Sequence, residues 1–314
     1  MTTKTPPLAA GISGSLRRSR PRYGEAVIKF ALLIASLVSV ATTVGIVVSL
    51  IPPTLRFFER VGVWDFLSGT NWSPLFTPPS YGVLPLIAGT LVTTAIAIAV
   101  AVPLGLAAAI YLSEYARPKV RATFKPVLEV LAGIPTVVYG FFALSLLTPF
   151  LQDIWPGGGG PEVFNALSAG LIMGVMIIPT VASLSEDAMA AVPHELREGA
   201  YALGSTKRIV ALRVVVPAAL SGIVAAVVLA ISRAVGETMI VAIAAGLQPK
   251  WTFNPLSAMQ TMTSYIAAAG QGDLPTASFD YTTIFAVGAL LFFLTFIMNA
   301  ISIRLVRKYR EVYE

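Results

Sequence analysis

Six stretches of this chain, residues 30–51, 83–112, 127–150, 166–184, 218–247 and 282–305, are long, nearly unbroken runs of apolar side chains. An α-helix needs about 20 residues to cross the ~30 Å of hydrocarbon in a bilayer, and a backbone in that medium must pair all its own N–H and C=O groups. Helices satisfy that demand one segment at a time, so the six runs predict an all-α polytopic membrane protein with six transmembrane helices. Composition agrees: 56% of the residues are hydrophobic and 12% charged, against a charged fraction near ~25% in soluble domains. The first run is longer than a signal-peptide core, and no small-residue cleavage pattern precedes Pro52-Pro53, so it reads as a retained span. Pro85, Pro103, Pro135 and Pro179 fall inside runs, where neighbouring helices can accommodate them. Gly105, Gly133, Gly140, Gly170, Gly174, Gly222 and Gly236 are expected to permit close helix approach, the GxxxG pair Gly170 and Gly174 included.

Charge sets the expected orientation, because loops on the cytoplasmic side carry the Lys and Arg excess. Lys4, Arg17, Arg18, Arg20, Arg22 and Lys29 precede the first run, and Arg117, Lys119, Arg121 and Lys125 lie between the second and third. Arg197, Lys207, Arg208 and Arg213 separate the fourth and fifth, and Arg304, Arg307, Lys308 and Arg310 close the chain. The opposite loops hold only Arg56, Arg60 and Lys250. Both termini and the loop between the fourth and fifth runs are thus expected in the cytoplasm. The net charge of +6 follows from topology and calls for no nucleic-acid partner. The expected divisions are a flexible basic cytoplasmic tail (1–29), a first helix with a long extracytoplasmic loop (30–82), a transmembrane domain (83–305) and a cytoplasmic C-terminal tail (306–314).

No cysteine is present, which removes disulfides, Cys-based metal sites and thiol catalysis, and the single His194, beside Pro193 at a helix start, reads as a surface residue. The outward loops carry Phe57, Phe58, Phe66 and all four tryptophans, Trp64, Trp72, Trp155 and Trp251. They read either as an interfacial aromatic belt or as a platform for an extracytoplasmic partner, and sequence does not separate the two.

Two polar intervals interrupt the hydrocarbon. The first, 193–217, opens at Pro193 with Glu195 and Glu198 in the first turns, where negative charge opposes the helix dipole. Leu196, Ala200 and Leu203 recur at helical spacing, Gly204 is suited to a left-handed stop, Ser205 can cap a second helix, and Pro217 marks the entry to the next apolar run. A helix, a glycine bend and a second helix are predicted. The second interval is the ISRAVGETM segment, which places Arg233 and Glu237 inside the fifth run. Spaced four apart, they are expected on one helix face, facing the bundle or a water-filled cavity because an exposed charge there is costly. One reading is an internal salt bridge. The other is a passage lining, since an Arg fork can bind two oxygens of an oxyanion and Glu237 can accept a hydrogen bond from an oxyanion that retains a proton, as phosphate does near neutral pH and sulfate does not.

The series Glu198-Gly199-Ala200, Gly204, Val214, Val216 and Pro217 resembles the EAA signature of binding-protein-dependent ABC importer permeases, with Gly199 where that pattern has Ala. The segments at 89–116, 128–144, 187–209 and 232–246 together resemble the permeases of the phosphate ABC importer. The WDFLSGTNWSP loop and GETMIVAIAAG are more similar to the PstC type than to its paralogue PstA. The resemblance covers most of the chain from residue 62 to the C-terminus, and the N-terminal tail carries none of it. It implies the type I importer permease fold, a multi-pass location in a prokaryotic inner membrane, and an ATPase-coupling role for Glu198, Gly199, Ala200, Leu203, Gly204 and Pro217. Arg233 and Glu237 would line the pathway of inorganic phosphate. The implied partners are a PstA-like second permease, two PstB-like ATPase subunits holding ATP and Mg, an extracytoplasmic PstS-like phosphate-binding protein, and membrane lipid. Consistent with an external ATPase, the chain has no G-x-x-x-x-G-K-[ST] segment, and no cofactor of its own is expected. No HExxH, no paired intramembrane carboxylates at ligand spacing and no Ser/His pair supports an intramembrane enzyme. The alternatives left open are a PstA-type paralogue, a sulfate or molybdate permease, and an ATP-independent secondary transporter.

Overall fold

The computed structural model describes residues 23–308, except 157–158, 274 and 276–277; the expected N-terminal tail therefore lies largely outside the described residues, as does most of the C-terminal one. Residues up to Ser49 and those from Leu50 onward form two compact units. In the first unit the described chain is one continuous helix, the bulk of α1 (Tyr23–Phe58). Its Ser36, Thr42, Thr43 and Ser49 hydroxyls donate to the carbonyls of Leu33, Val38, Ser39 and Ile46 one turn back, so the polar side chains are satisfied within the apolar helix. α1 does not stop at Ile51 as expected but continues through Pro52 and Pro53.

The second unit begins with the end of α1, then α2 (Val63–Ser68) and a two-stranded antiparallel ribbon of β1 (Trp72–Ser73) and β2 (Ser80–Tyr81), in which Trp72 pairs with Tyr81. α3 (Leu84–Ile110) ends in a wide π turn, Tyr111–Tyr115. α4 (Pro118–Ala132) follows, then α5 (Thr136–Phe142) and α6 (Thr148–Ile154), joined by a second π turn into one continuous rod. α7 (Ala166–Ala190) leads to α8 (His194–Ala202) and α9 (Lys207–Ile209). α10 (Val216–Ala218), α11 (Leu220–Val235), α12 (Met262–Ala268) and α13 (Thr282–Lys308) complete the order.

Among the described residues five helices are long and apolar enough to cross a membrane, and a sixth span exists if the pair Lys207–Ala218 and Leu220–Val235, bent by 71°, counts as one. Counted so, the spans number the six expected, but two of the expected runs are not continuous helices. The run 127–150 is not one helix: α4 ends at Ala132, and the crossing segment is Thr136–Ile154. Pro135 has no N–H to continue α4 and biases Ile134 away from helical geometry, so the chain restarts after it. The run 218–247 is also interrupted, because α11 ends at Val235 and the chain is non-helical at 237–238 before a short helical segment through Val241–Ala245. Apolarity marks membrane depth, and these two runs show that it does not by itself mark continuity.

The core is the seam between α3 and α7. A methyl group on Gly170 would lie 2.7 Å from Ile96 Cβ, one on Gly174 2.9 Å from the Ala97 carbonyl oxygen, and one on Gly105 2.7 Å from Val181 Cβ. Small residues at those three positions let the backbones approach, which in lipid replaces the hydrophobic drive available in water. Gly133 and Gly236, expected to do the same, instead close the ends of α4 and α11. Around the seam Ala97, Ala101, Met173, Met176, Ile177, Ala230, Ile240 and Ala244 form one buried cluster.

A second cluster decides the fate of the aromatic residues. Phe57, Phe66 and Trp72 are buried with Tyr265 and stack edge-on in a chain of rings, Phe57 to Phe66 at 5.4 Å, Phe66 to Trp72 at 6.2 Å and Trp72 to Tyr265 at 4.9 Å. These rings are the core of the segment between α1 and α3 and cannot be a belt. Trp64 by contrast is 77% exposed, and Trp155 and Trp251 are exposed as well, so only those three remain for an interface. Trp72→Ala is expected to cost about 3–5 kcal/mol, the range for emptying a buried large aromatic site, whereas Trp64→Ala should leave stability within about 0.5 kcal/mol. Thermal unfolding of the detergent-solubilised protein followed by intrinsic fluorescence checks the contrast.

Candidate functional site

The interval after α7 folds as its residues suggest. Pro193 is the N-cap of α8 with extended backbone (φ −53°, ψ 140°), and His194 is an exposed first-turn residue. α8 closes at Gly204, whose φ is +78°; the Gly204 N–H donates to the Tyr201 carbonyl at 2.9 Å and the Ser205 N–H to the Ala200 carbonyl at 3.1 Å. This is the left-handed stop that favours glycine. The N-cap position of the second helix is Thr206 (φ −73°, ψ 155°), one residue later than expected, and its side chain makes no capping hydrogen bond; the Ser205 N–H instead belongs to the closure of α8.

The expected stripe of Leu196, Ala200 and Leu203 divides. Ala200 packs inward on a cluster of Met189, Val192, Val210 and Val215. Leu203 lies beyond the last helical residue, has left the face and is 89% exposed, beside the exposed Leu196, Glu198 and Tyr201. Nothing lies within 4 Å of where a Gly199 side chain would start, so an Ala there would fit without rearrangement. Pro217 sits in α10 just before the 71° bend. The result is a short helix with an apolar tip, packed on the bundle through its inner face and unpartnered on its outer face among the described residues.

Arg197 anchors this helix, a role sequence reasoning missed by counting the residue only as a topological charge. Its guanidinium donates to the Val192 carbonyl at 2.6 Å, to the Met189 carbonyl at 2.8 Å and to Glu114 Oε1 at 3.0 Å. It thereby closes the carbonyl end of α7 and ties it to the π turn after α3. A second ionic joint links α4 to α7. Glu186, 1% exposed, pairs with both Arg121 and Lys125, and Lys125 also reaches Asp187. Its hydrogen bond to Asp187 holds the Lys125 ammonium above its ordinary pKa against a smaller desolvation effect. No spacing rule marks either joint, since their partners lie 61 to 83 residues apart.

The other candidate site lies deeper. From Leu220 to Arg233 the rise of 1.5 Å per residue gives about 20 Å, so the structure does not bring the loop and the Arg233-Glu237 pair together. Arg233 and Glu237 do not share a helix face either, because Glu237 stands in the break that follows α11. No ion pair joins them among the described residues. Arg233 donates through Nη1 to Thr180 Oγ1 at 3.1 Å. Glu237, 9% exposed, accepts at Oε1 from the Met239 and Ile240 N–H groups at 3.2 and 3.4 Å and so caps the next helical segment. Its Oε2 and the remaining Arg233 donors have no hydrogen-bond partner among the described residues. The salt-bridge reading is therefore excluded in this conformation: Arg233 is positioned by one side-chain hydrogen bond and Glu237 by two backbone N–H groups, and each keeps unused hydrogen-bonding capacity. Ser232 bonds Asn299 on α13 at 3.2 Å, in keeping with a packing role.

Sequence reasoning also missed the hydroxyl-rich segment that supports this break. The Thr263 hydroxyl donates to the Glu237 carbonyl at 2.6 Å, and Thr261 and Ser264 close a capping box at the start of α12. The Met262 N–H donates to Thr90 Oγ1 of α3 at 3.1 Å. All eight residues of this segment, Ser257 through Ser264, are buried, and its five polar side chains make it look like an ordinary loop in sequence.

Two outcomes follow from these geometries. Thr263→Val removes the hydroxyl that satisfies the buried Glu237 carbonyl and is expected to lower stability by about 1–3 kcal/mol, while Thr263→Ser should retain most of it, measured by thermal unfolding of the detergent-solubilised protein. Gly204→Val forces a β-branched residue to positive φ and is expected to cost about 1–3 kcal/mol in the same assay.

Residues 101–311 match the model of the family described as "Binding-protein-dependent transport system inner membrane component". The chain is 37% identical over 264 residues to the probable ABC transporter permease protein YqgH of Bacillus subtilis, covering 83% of this chain and 84% of that one. It is 34% identical to the phosphate transport system permease protein PstC of Mesorhizobium japonicum over 82% of each chain, and 31% identical to PstC of Haemophilus influenzae over 90% of this chain and 91% of that one. Among solved structures, a chain of a bacterial alginate ABC importer superposes with a TM-score of 0.61 at 15% identity, covering 93% of this chain and 100% of that one. A chain of the MetNI methionine ABC transporter superposes with a TM-score of 0.53 at 20% identity, covering 73% and 95%. The permease fold, the exposed helix with its glycine stop and the extent of these matches agree, and the chain belongs to the family of inner membrane components of binding-protein-dependent transport systems.

Proposed function

We propose that this chain is the PstC-type permease subunit of an ATP-driven importer that moves inorganic phosphate across the cytoplasmic membrane of a prokaryote. The observation that carries the reading is the 31–34% identity to PstC permeases over 78–90% of the chain. The unpaired valences at Arg233 and Glu237 support it. An Arg fork with free donors can hold two oxygens of a phosphate, and a carboxylate oxygen without a partner can accept a hydrogen bond from the P–O–H group that monohydrogen and dihydrogen phosphate retain and sulfate lacks.

In this reading the Lys and Arg excess places α8 in the cytoplasm, where Glu198, Gly199, Leu203 and the exposed Leu196 and Tyr201 form the surface that docks an ATPase subunit. Ala200, Gly204 and Pro217 set the shape and exit of that helix. The working assembly joins this chain to a PstA-like permease, two PstB-like ATPase subunits carrying ATP and Mg, and a PstS-like phosphate-binding protein on the opposite side. Hydrolysis belongs to the ATPase subunits, and this chain contributes alternating access. Closure of the ATPases displaces α8, and the bundle reorients around the break at Glu237.

Proteoliposomes holding the assembled complex test the reading. ATP-dependent uptake of radiolabelled phosphate is expected, undiminished by excess sulfate or molybdate, and lowered at least tenfold by Arg233→Gln or Glu237→Gln with subunit composition unchanged. Competition by sulfate would reassign the substrate. Uptake without the ATPase subunits would point to a secondary transporter, and wild-type rates in both variants would leave the two residues a structural role only.

A further inference from the structure

A docking helix moves the bundle only through contacts that carry both push and pull, and the exposed helix α8 has few. Arg197 grips Glu114 at 3.0 Å in a nearly buried pair, the two side chains 12% and 5% exposed. On the other limb of the same loop, the Lys207 ammonium lies 5.2 Å from the centre of the Tyr115 ring, within cation–π range. Both limbs therefore hold adjacent residues of one five-residue segment, the π turn Tyr111–Tyr115. That turn is locked to α3 by its own hydrogen bonds, the Tyr111 N–H reaching the Ala107 and Ala108 carbonyls and the Ala116 N–H returning to the Tyr111 carbonyl at 2.8 Å. The turn continues α3 as one rod, Leu84–Tyr115, whereas beyond Ala116 the chain is extended (ψ 143° and then 151°) before α4 starts, so α3 is the helix directly continuous with the clamped turn.

α3 is also the helix that reaches the deep site. From Glu114 back to Thr90 is 24 residues, about 36 Å of helix. At that end Thr90 holds the Met262 N–H, and the next residue, Thr263, holds the Glu237 carbonyl. We propose that Arg197 and Lys207 clamp the Tyr111–Tyr115 turn so that displacement of the loop enters the bundle through α3 and is delivered to the Glu237 break by the Thr90–Met262 and Thr263–Glu237 hydrogen bonds. Arg197, Glu114, Lys207 and Tyr115 are then positioning residues of the transport cycle. They are distinct from the exposed surface that meets the ATPase, and the inference rests on the docking role assigned to that surface.

The quantity that separates transmission from folding or docking is the number of phosphate ions imported per ATP hydrolysed, because loss of protein or of ATPase lowers both and leaves their ratio unchanged. In reconstituted complex, Arg197→Gln and Glu114→Gln are expected to retain the ATPase subunits and their hydrolysis while the ratio falls at least fivefold, and Glu114→Asp, which keeps the carboxylate, is expected to retain at least half of it. Where a buried single variant fails to assemble, the exposed pair decides: Tyr115→Leu and Lys207→Ala should each lower the ratio at least twofold with assembly intact. An unchanged ratio in the assembled variants overturns the proposal, and so does release of the ATPase by Arg197→Gln, which would make that residue part of the docking surface. A wild-type complex from which the ATPase does not co-purify would instead defeat the docking role itself.

Discussion

The close approach of α3 and α7 is the constraint on which the rest depends. With Gly105, Gly170 and Gly174 at the contact, two long apolar helices meet backbone to side chain along most of their length, and the other elements take their places around that seam. In lipid no hydrophobic gain rewards such contact, so its energy must come from dispersion across tightly fitted small residues. In the proposed route, displacement applied at one end of α3 is carried along this seam, where small residues leave little loose packing to absorb it.

Against this apolar frame the polar groups fall into joints, each placed where a helix ends. Arg197 and Glu114 meet at the ends of α7 and α3; Arg121 and Lys125 fasten α4 to Glu186 and Asp187 near the end of α7; Glu237 and Thr263 hold the break after α11. Helix ends leave four N–H or C=O groups without intrahelical partners, so a chain rich in breaks offers many places where a charge or hydroxyl is stabilised inside apolar surroundings. The same breaks are where a bundle can bend. Joint and hinge coincide at the Glu237 break, and that coincidence is what gives the proposed pathway its mechanical sense.

Much of this was legible from residues alone. The apolar runs announced the helices, and Pro193 and Gly204 announced the start and stop of α8, because each of these signals is local: a stretch of hydrocarbon, a fixed φ, a left-handed φ of +78°. The breaks were less legible. Runs 127–150 and 218–247 read as single helices because hydropathy averages over the Gly133-Ile134-Pro135 and Gly236-Glu237-Thr238 interruptions. The aromatic residues showed the same limit, since Trp64 and Trp72 stand in one loop with similar neighbours and only packing buries the second.

The sequence by itself determined that this chain is a multi-pass helical membrane protein with a short polar helix between two spans, and which residues carry charge inside it. Length, hydropathy and turn chemistry act over a few residues and need no folded context. The tertiary structure alone decided what those charges do: that Arg233 and Glu237 are not paired, that Arg197 is an anchor, and that a loop of threonines and serines is buried against the Glu237 break. Each of those outcomes includes a contact between residues 26 to 172 positions apart, set by how helices of particular lengths and break points pack, and no local pattern encodes that distance.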